Sequence, residues 1–328
     1  MIGVTGANGL LGSFIVRNLL AEGKEFIAFK REDSDVSLLA DVADKITWRS
    51  LDLNDELSVL EALKDISTVI HTAAVVSFNP KDSKKMFNCN VTGTRYIVNS
   101  CITHGVKRLI HISSVAALGR QKGQTLIDET NKWVTEGDNT AYAESKYLGE
   151  LEVYRGMEEG VAVAIVNPSV ILAPADWEKS SAKLFKYVWN QGKFYTDGCL
   201  NYVDVRDVAR IACKLIEDES NGQRYIVNGG SISFLDFFSK MARHFQKKAP
   251  SIKLGRTLLI WLARLERCRS WVTGNDPLIT RETARMAGTN FFYNNQKVIK
   301  ALRVDFQSID ETLQWCCEYY IAKKQAKN

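Results

Sequence analysis

The sequence predicts an α/β protein: a doubly wound parallel sheet with a smaller, mostly helical lobe at its C-terminal end. Over the first 170 residues, short β-branched apolar runs alternate with segments whose apolar residues recur at three and four. Between the first run and the first such segment stand three glycines spaced three apart, Gly6, Gly9 and Gly12. After Pro168 the alternation gives way to irregular, helix-rich sequence.

In order, Ile2 to Thr5, "FIAF" (26–29), "ITW" (46–48), "TVIH" (68–71), "RLIHI" (108–112) and "VAVAIV" (161–166) have the composition of buried strands. The intervening "LLGSFIVRNLLAEG", "DELSVLEALKD", "KKMFNCNVTGTRYIVNSCITHG" and "AYAESKYLGELEVYRGMEE" have helical spacing. Such a series implies a parallel sheet covered on both faces, with right-handed crossovers. The sheet domain is expected over 1–170. Segment 201–228, with "NYVDVRDVARIACKLIED" and "RYIVNG", returns to it, and 171–328 forms the lobe over the C-terminal edge of the strands.

A chain of 328 residues, 45% hydrophobic and 25% charged, is an ordinary globular composition, able to bury about three quarters of its unfolded surface. Apolar runs stop at six residues, as in "LLIWLA", against the roughly 18 to 20 of a membrane span. No basic region followed by an apolar stretch opens the chain, so a cytoplasmic location is expected. Seven cysteines form an odd set without a Cys-x-x-Cys pair, which favours reduced thiols over disulfides. The four histidines lack metal-ligand spacing, so no metal is expected; His71 and His111 are taken as strand-end residues. A net charge of +5 is too mild to suggest nucleic acid. Lys240 to Ser270 nevertheless carries nine Lys or Arg against one acid, Glu266. There Leu254, Leu258, Trp261, Leu262, Leu265 and Cys268 fall at helical spacing, as in a helix packing its stripe into the lobe, a lid, or a segment docking on an anionic membrane surface.

Glycines in a turn from strand to helix let backbone N–H groups approach a pyrophosphate at the positive end of the helix dipole, where any side chain would hold it away. This is the logic of a Rossmann-type nucleotide site. Some 130 residues on, "AYAESK" puts Tyr142 and Lys146 at i and i+4 on one helical face. An ammonium beside a phenol favours the phenolate and makes the tyrosine a usable acid or base. "LIHISSVAALG" ends a buried strand in Ser113 and Ser114, where a hydroxyl can bond a substrate oxygen as charge develops on it.

Thr5-Gly6-x-x-Gly9-x-x-Gly12, "DLND", "HTAA", "NVTGT", "HISSVAALG", "AYAESK", "VNPSVILAP", "NYVDVRDVA" and "YNNQKVIKAL" follow one another as in the extended short-chain dehydrogenase/reductase family. This is also called the NAD-dependent epimerase/dehydratase family. The chain resembles it over nearly its whole length, most closely the dihydroflavonol-reductase-like and 3β-hydroxysteroid-dehydrogenase-like branch. The resemblance implies that Tyr142 exchanges the proton, Lys146 holds the nicotinamide ribose and tunes Tyr142, Ser114 orients the carbonyl, and Asn90 supports Lys146. It leaves Ser113 to strand-end packing. It places the pyrophosphate on Thr5, Gly6, Asn8, Gly9, Leu10, Leu11 and Gly12, and the adenine at Asp52 and Leu53. The ribose side falls to Thr72, Ala73 and Ala74, the nicotinamide to Pro168 through Val170. Family members commonly form homodimers through the helices corresponding to Lys84–Thr103 and Tyr142–Glu159.

The second strand runs into Lys30 and Arg31 before any acid, which favours NADP(H) over NAD, the alternative being two charges that merely solvate a loop. Val115 and Ala116 stand where the dehydratase branch carries an Asp-Glu pair, and Asn167 precedes Pro168 where nucleotide-sugar epimerases often carry arginine. Reduction of a ketone or aldehyde of an apolar or aromatic small molecule is therefore the first reading. Epimerisation of a nucleotide sugar on tightly held NAD is the second. A non-catalytic NAD(P)-sensing protein is the third, disfavoured by the Tyr-Lys pair.

Overall fold

The computed structural model describes residues 1–77, 79–120, 123–135, 139–177, 181–255, 259 and 291–325. Its strands are β1 (Ile2–Thr5), β2 (Phe26–Lys30), β3 (Trp48–Ser50), β4 (Thr68–His71), β5 (Arg108–Ile112), β6 (Leu126–Ile127), β7 (Ala162–Pro168), β8 (Val170–Leu172), β9 (Phe194–Thr196), β10 (Cys199–Asp204), β11 (Gln223–Val227), β12 (Gly230–Ser233), β13 (Ile252–Leu254) and β14 (Phe292–Tyr293). The α-helices are α1 (Leu10–Ala21), α2 (Glu56–Ala62), α3 (Ser83–Phe87), α4 (Thr94–Thr103), α5 (Ala141–Glu158), α6 (Ala182–Trp189), α7 (Val205–Lys214), α8 (Phe234–Phe245), α9 (Gln296–Leu302) and α10 (Ile309–Gln325).

Seven strands form one parallel sheet in the order β3-β2-β1-β4-β5-β7-β11. Because alternate residues of a strand face opposite sides, each strand feeds two cores. Val4, Ala28, Ile70 and Ile110 pack with Ile15, Val16 and Leu19 of α1 and Val208, Ile211 and Ala212 of α7. On the other face, Ile27, Phe29, Val69, Leu109 and Val163 meet Val59 of α2, Ile97, Val98 and Cys101 of α4, and Val153 of α5. Each large apolar side chain buried this way contributes about 1.5–3 kcal/mol. A third core in the lobe joins Phe185 of α6, Phe237 and Met241 of α8, and Leu313, Cys316 and Tyr320 of α10. The buried Arg108 at the start of β5 donates to the carbonyls of Leu215 (2.5 Å) and Ser220 (2.9 Å), beyond the end of α7.

Three local expectations need correction. The third strand starts at Trp48, not Ile46: a 3-10 run over Ser37–Lys45 ends by turning the Ile46 N–H back to Ala43, so pairing begins two residues later. The helix expected across 84–105 is interrupted by a π segment, Asn88–Gly93, where Thr94 bonds back to the Asn90 carbonyl and Gly93 lies against Leu53. Of the two segments expected to return to the sheet, Gln223–Val227 joins its edge. Cys199–Asp204 instead pairs with β8 and β12 in a separate three-stranded sheet, while α7 after it covers the large sheet.

The six described cysteines are free thiols. No helix among the described residues is long and apolar enough to cross a membrane. Within the basic stretch, Lys240 pairs with Asp310 (2.7 Å) and Lys253 with Asp197 (2.8 Å). The expected apolar stripe lies outside the described residues beyond Leu254, Gly255 and Leu259.

Helix α5 reaches the π segment closely enough that a Cβ on Gly149 would lie 2.7 Å from the Asn90 carbonyl oxygen. Gly149→Ala is expected to cost about 1–3 kcal/mol of stability in urea unfolding, as overpacking does. Gly255→Ala, whose Cβ meets nothing within 4 Å, should leave the midpoint unchanged.

Candidate active site

Strand order reverses between β1 and β4, and in an open parallel sheet the crevice at such a switch point is where ligands bind. On the β1 side the chain leaves Thr5 through Gly6 at φ +64°, where a Cβ would sit 2.8 Å from the backbone of Ala73. A Cβ on Gly12 would lie 2.1 Å from the Gly6 carbonyl oxygen. Both positions therefore demand glycine. Gly9 caps α1 without a side chain, and the first turn contains no acid, so the helix N-terminus is open to an anion. The turn thus fits the diphosphate of a dinucleotide. Asn8 bonds the Asp35 carbonyl (3.0 Å), while Leu10 packs toward the lobe core and Leu11 toward the sheet core.

Register aligns Thr5, His71 and His111 in one row across β1, β4 and β5. The Thr5 hydroxyl accepts from the Ala73 N–H (3.3 Å) and lies 2.7 Å from His71 Nδ1. The Thr94 hydroxyl donates to the Asn90 carbonyl (2.8 Å) and so accepts from His71 Nε2 (3.1 Å). Nε2 of His71 therefore carries a proton, and in the neutral ring that burial favours, Nδ1 accepts from the Thr5 hydroxyl. Burial, assisted by the charge of Lys146, pushes its pKa down to about 3. Burial, then the neighbouring His71 and Lys146, hold His111 well below its ordinary value. The Thr72 hydroxyl donates to the Thr5 carbonyl (2.6 Å), and Ala74 follows on the same strand end.

At the outer strands, Lys30 turns its ammonium onto the Glu32 carbonyl (2.8 Å), and Arg31 is exposed. Asp52 accepts from both the backbone and side-chain nitrogens of Asn54 (3.0 and 2.9 Å), and Leu53 is buried against Gly93.

Across the crevice β5 ends at Ile112. Ser113 is buried, and Ser114 begins the 3-10 turn Val115–Ala117, its Oγ accepting from the Ala116 N–H (3.1 Å). The Tyr142 phenol is hydrogen-bonded to the Ser114 side chain. Thr140 caps α5 and fixes the start of the helix that carries Tyr142 and Lys146. Lys146 is 4% exposed and donates from Nζ to the Ile112 carbonyl (2.9 Å). Burial brings its pKa down to about 8, opposed by Cys89 and Glu150. The expected lowering of the Tyr142 pKa is not what the site shows. Burial raises the phenol above its ordinary value, opposed by the Ser114 bond.

Asn90 lies in the π segment, with Oδ1 accepting from the Val75 N–H (2.8 Å) and Nδ2 donating to Ser145 (3.0 Å). Ser145 donates to the Tyr142 carbonyl (2.8 Å), so Asn90 reaches α5 one residue before Lys146. Pro168 ends β7 opposite Val227, and Val170 is exposed at 40%. Sequence reasoning used Asn167 only as the residue before Pro168 and overlooked Glu150 and Arg224. The buried Asn167 amide bridges the Ser114 carbonyl (2.8 Å) and Glu150 (2.6 Å), and Glu150 pairs with Arg224 (3.1 Å). Glu150 follows Lys146 by the same four residues that separate Tyr142 from Lys146, a signal that could have revealed it.

A hydroxyl, a phenol and an ammonium converging beside an anion cradle can bind a dinucleotide and pass a proton to an adjacent oxygen. Comparison with known proteins agrees. The family model described as "NAD dependent epimerase/dehydratase family" matches residues 2–230. Sterol demethylase protein B of Methylococcus capsulatus is 32% identical over 231 residues, covering 69% of each chain. A dihydroflavonol 4-reductase-like protein of Synechocystis sp. is 28% identical over 318 residues, 94% of this chain and 91% of its own. The crystal structure of gox2253 superposes with a TM-score of 0.84 at 30% identity, covering 98% of both chains. The chain belongs to the NAD-dependent epimerase/dehydratase family and is an NAD(P)-dependent oxidoreductase on a Rossmann-type fold.

Proposed function

We propose that the protein reduces a ketone or aldehyde on an apolar or aromatic small molecule with NADP(H), the 171–328 lobe shaping the substrate side. When bound, the dinucleotide supplies the hydride. Tyr142 gives the proton to the carbonyl oxygen, Ser114 orients that oxygen, and Lys146 holds the ribose hydroxyls. Thr5, Gly6, Asn8, Gly9, Leu10, Leu11 and Gly12 form the diphosphate cradle. Asp52 and Leu53 border the adenine, Thr72 to Ala74 the ribose, and Pro168 and Val170 the nicotinamide. Lys30 and Arg31 face a 2′-phosphate. The observation that carries this reading is the Ser114–Tyr142 hydrogen bond with Lys146 one turn on, at the switch point beside the glycine turn. At neutral pH the buried phenol carries its proton, the form from which a reductase donates.

Two further observations favour carbonyl reduction over sugar epimerisation. Both amide hydrogens of Asn167 are taken by Ser114 and Glu150, so the position that would meet a diphosphate is closed. The relatives named above are called after sterols and dihydroflavonols, oxygenated fused-ring compounds. A homodimer through α4 and α5 is part of the same reading, with Leu151 standing 44% exposed on α5.

Tyr142→Phe is expected to lower kcat about 10²–10⁴-fold, the usual weight of a positioned proton donor, with NADPH affinity unchanged by fluorescence titration. Arg31→Ala should raise KM for NADPH about tenfold or more and barely alter KM for NADH, since a charged hydrogen bond contributes about 1.5–3 kcal/mol. Lys146 sheds its proton near pH 8 rather than at its ordinary value. NADPH affinity should therefore be full below that pH and decline as pH rises through about 8. A flat profile to pH 10 would contradict this role.

A further inference from the structure

Glu150 lies one helical turn beyond Lys146 on the same inward face of α5 and is 1% exposed. Residues so placed have Cβ atoms about 5–6 Å apart. One carboxylate oxygen accepts from Asn167 Nδ2 (2.6 Å), the other from Arg224 Nη1 (3.1 Å). That same Asn167 nitrogen donates to the Ser114 carbonyl (2.8 Å). Arg224 reaches past the carboxylate, donating from Nη2 to the carbonyls of Glu129 (2.6 Å) and Asn131 (3.1 Å). Asn131 in turn donates to the Gly119 carbonyl (3.2 Å). One buried ion pair thus grips the end of β5, the loop after it and the helix of Tyr142 and Lys146.

A buried ion pair is weak as a source of stability, because desolvation offsets most of the attraction. Its placement points to another use. The groups around the Lys146 ammonium are His71 of β4 and His111 of β5, both neutral, Glu150 of its own helix, and the Cys89 thiol of the π segment. Glu150 is the carboxylate among them.

We propose that Glu150, through Asn167 and Arg224, is a positioning residue of this centre, fixing Ser114 against Tyr142 and keeping Lys146 protonated. The proposal rests on the oxidoreductase reading above. Asn167 serves the first role and not the second, so the two can be separated.

The test is NADPH affinity from pH 6 to 10, with kcat for carbonyl reduction, in the wild type, Glu150→Gln, Asn167→Ala and the double variant Glu150→Gln/Arg224→Met. Glu150→Gln keeps an acceptor for Asn167 and removes the charge. It should move the alkaline loss of affinity down by about one pH unit or more, as loss of a nearby counter-charge does. Asn167→Ala should leave that midpoint in place and lower kcat at least about tenfold, the weight of one misplaced hydrogen bond of about 1.4 kcal/mol. The double variant leaves no unpaired buried guanidinium and should show the Glu150→Gln midpoint, which decides the matter if the single variant does not fold. An unchanged midpoint without the carboxylate overturns the proposal, as does a wild-type kcat in Asn167→Ala. If the wild type binds NADPH with an alkaline midpoint but reduces no carbonyl, the reductase reading fails while the midpoint shift still decides the role of Glu150.

Discussion

The buried ammonium of Lys146 against the carbonyl of Ile112 is the constraint around which the molecule is arranged. Removing a cation from water is costly, and the cost is tolerated only where acceptors stand ready. The end of β5 provides one, and Glu150 contributes opposite charge. For the contact to exist, α5 must press onto the sheet and its neighbours. Two glycines permit this: Gly149 against the Asn90 carbonyl, and Gly156, whose Cβ would lie 2.8 Å from Val98 of α4. The cation is therefore in position before any ligand arrives, and the organisation its chemistry requires is built during folding.

A directional run of hydrogen bonds carries that organisation across the crevice. From the Ala73 N–H it passes through the Thr5 hydroxyl to His71, on to Thr94 and the Asn90 carbonyl. The Asn90 side chain continues it through Ser145 to the Tyr142 carbonyl. The proton of Thr94 goes to the Asn90 carbonyl, which sets Nε2 of His71 as a donor, and the run ties the glycine turn to α5. A charged imidazole would break the run at Thr5, whose hydroxyl proton it could not accept. Burial that keeps His71 neutral thus preserves the geometry.

Much of this was legible in the sequence. "TVIH" and "RLIHI" are the observed strands residue for residue, because buried parallel strands are rich in β-branched and other apolar residues. The glycine turn and the i, i+4 pair of Tyr142 and Lys146 were visible because spacing alone encodes them. The start of the third strand was obscured because Ile46 is apolar whether it pairs or packs; a turn bond to Ala43 decides between the two. The π segment was hidden because the bonds of Asn90 within it run to Val75 and Ser145, partners far from it in sequence. Charge balance at the site was misjudged, since burial outweighs every other influence on the Tyr142 phenol. Sequence shows which side chains share a face, whereas the competition for a proton among carbonyl, phenol and carboxylate is settled by packing.

The charge state of Lys146 is directly measurable. Side-chain NMR of the lysines, titrated from pH 6 to 11 and assigned by comparison with the Lys146→Arg spectrum, follows each amine separately. One lysine, Lys146, should titrate near 8, more than two units below the ordinary 10.5. Finding Lys146 still protonated at pH 10 would contradict the dry environment that lowers its pKa, on which this reading of the site depends.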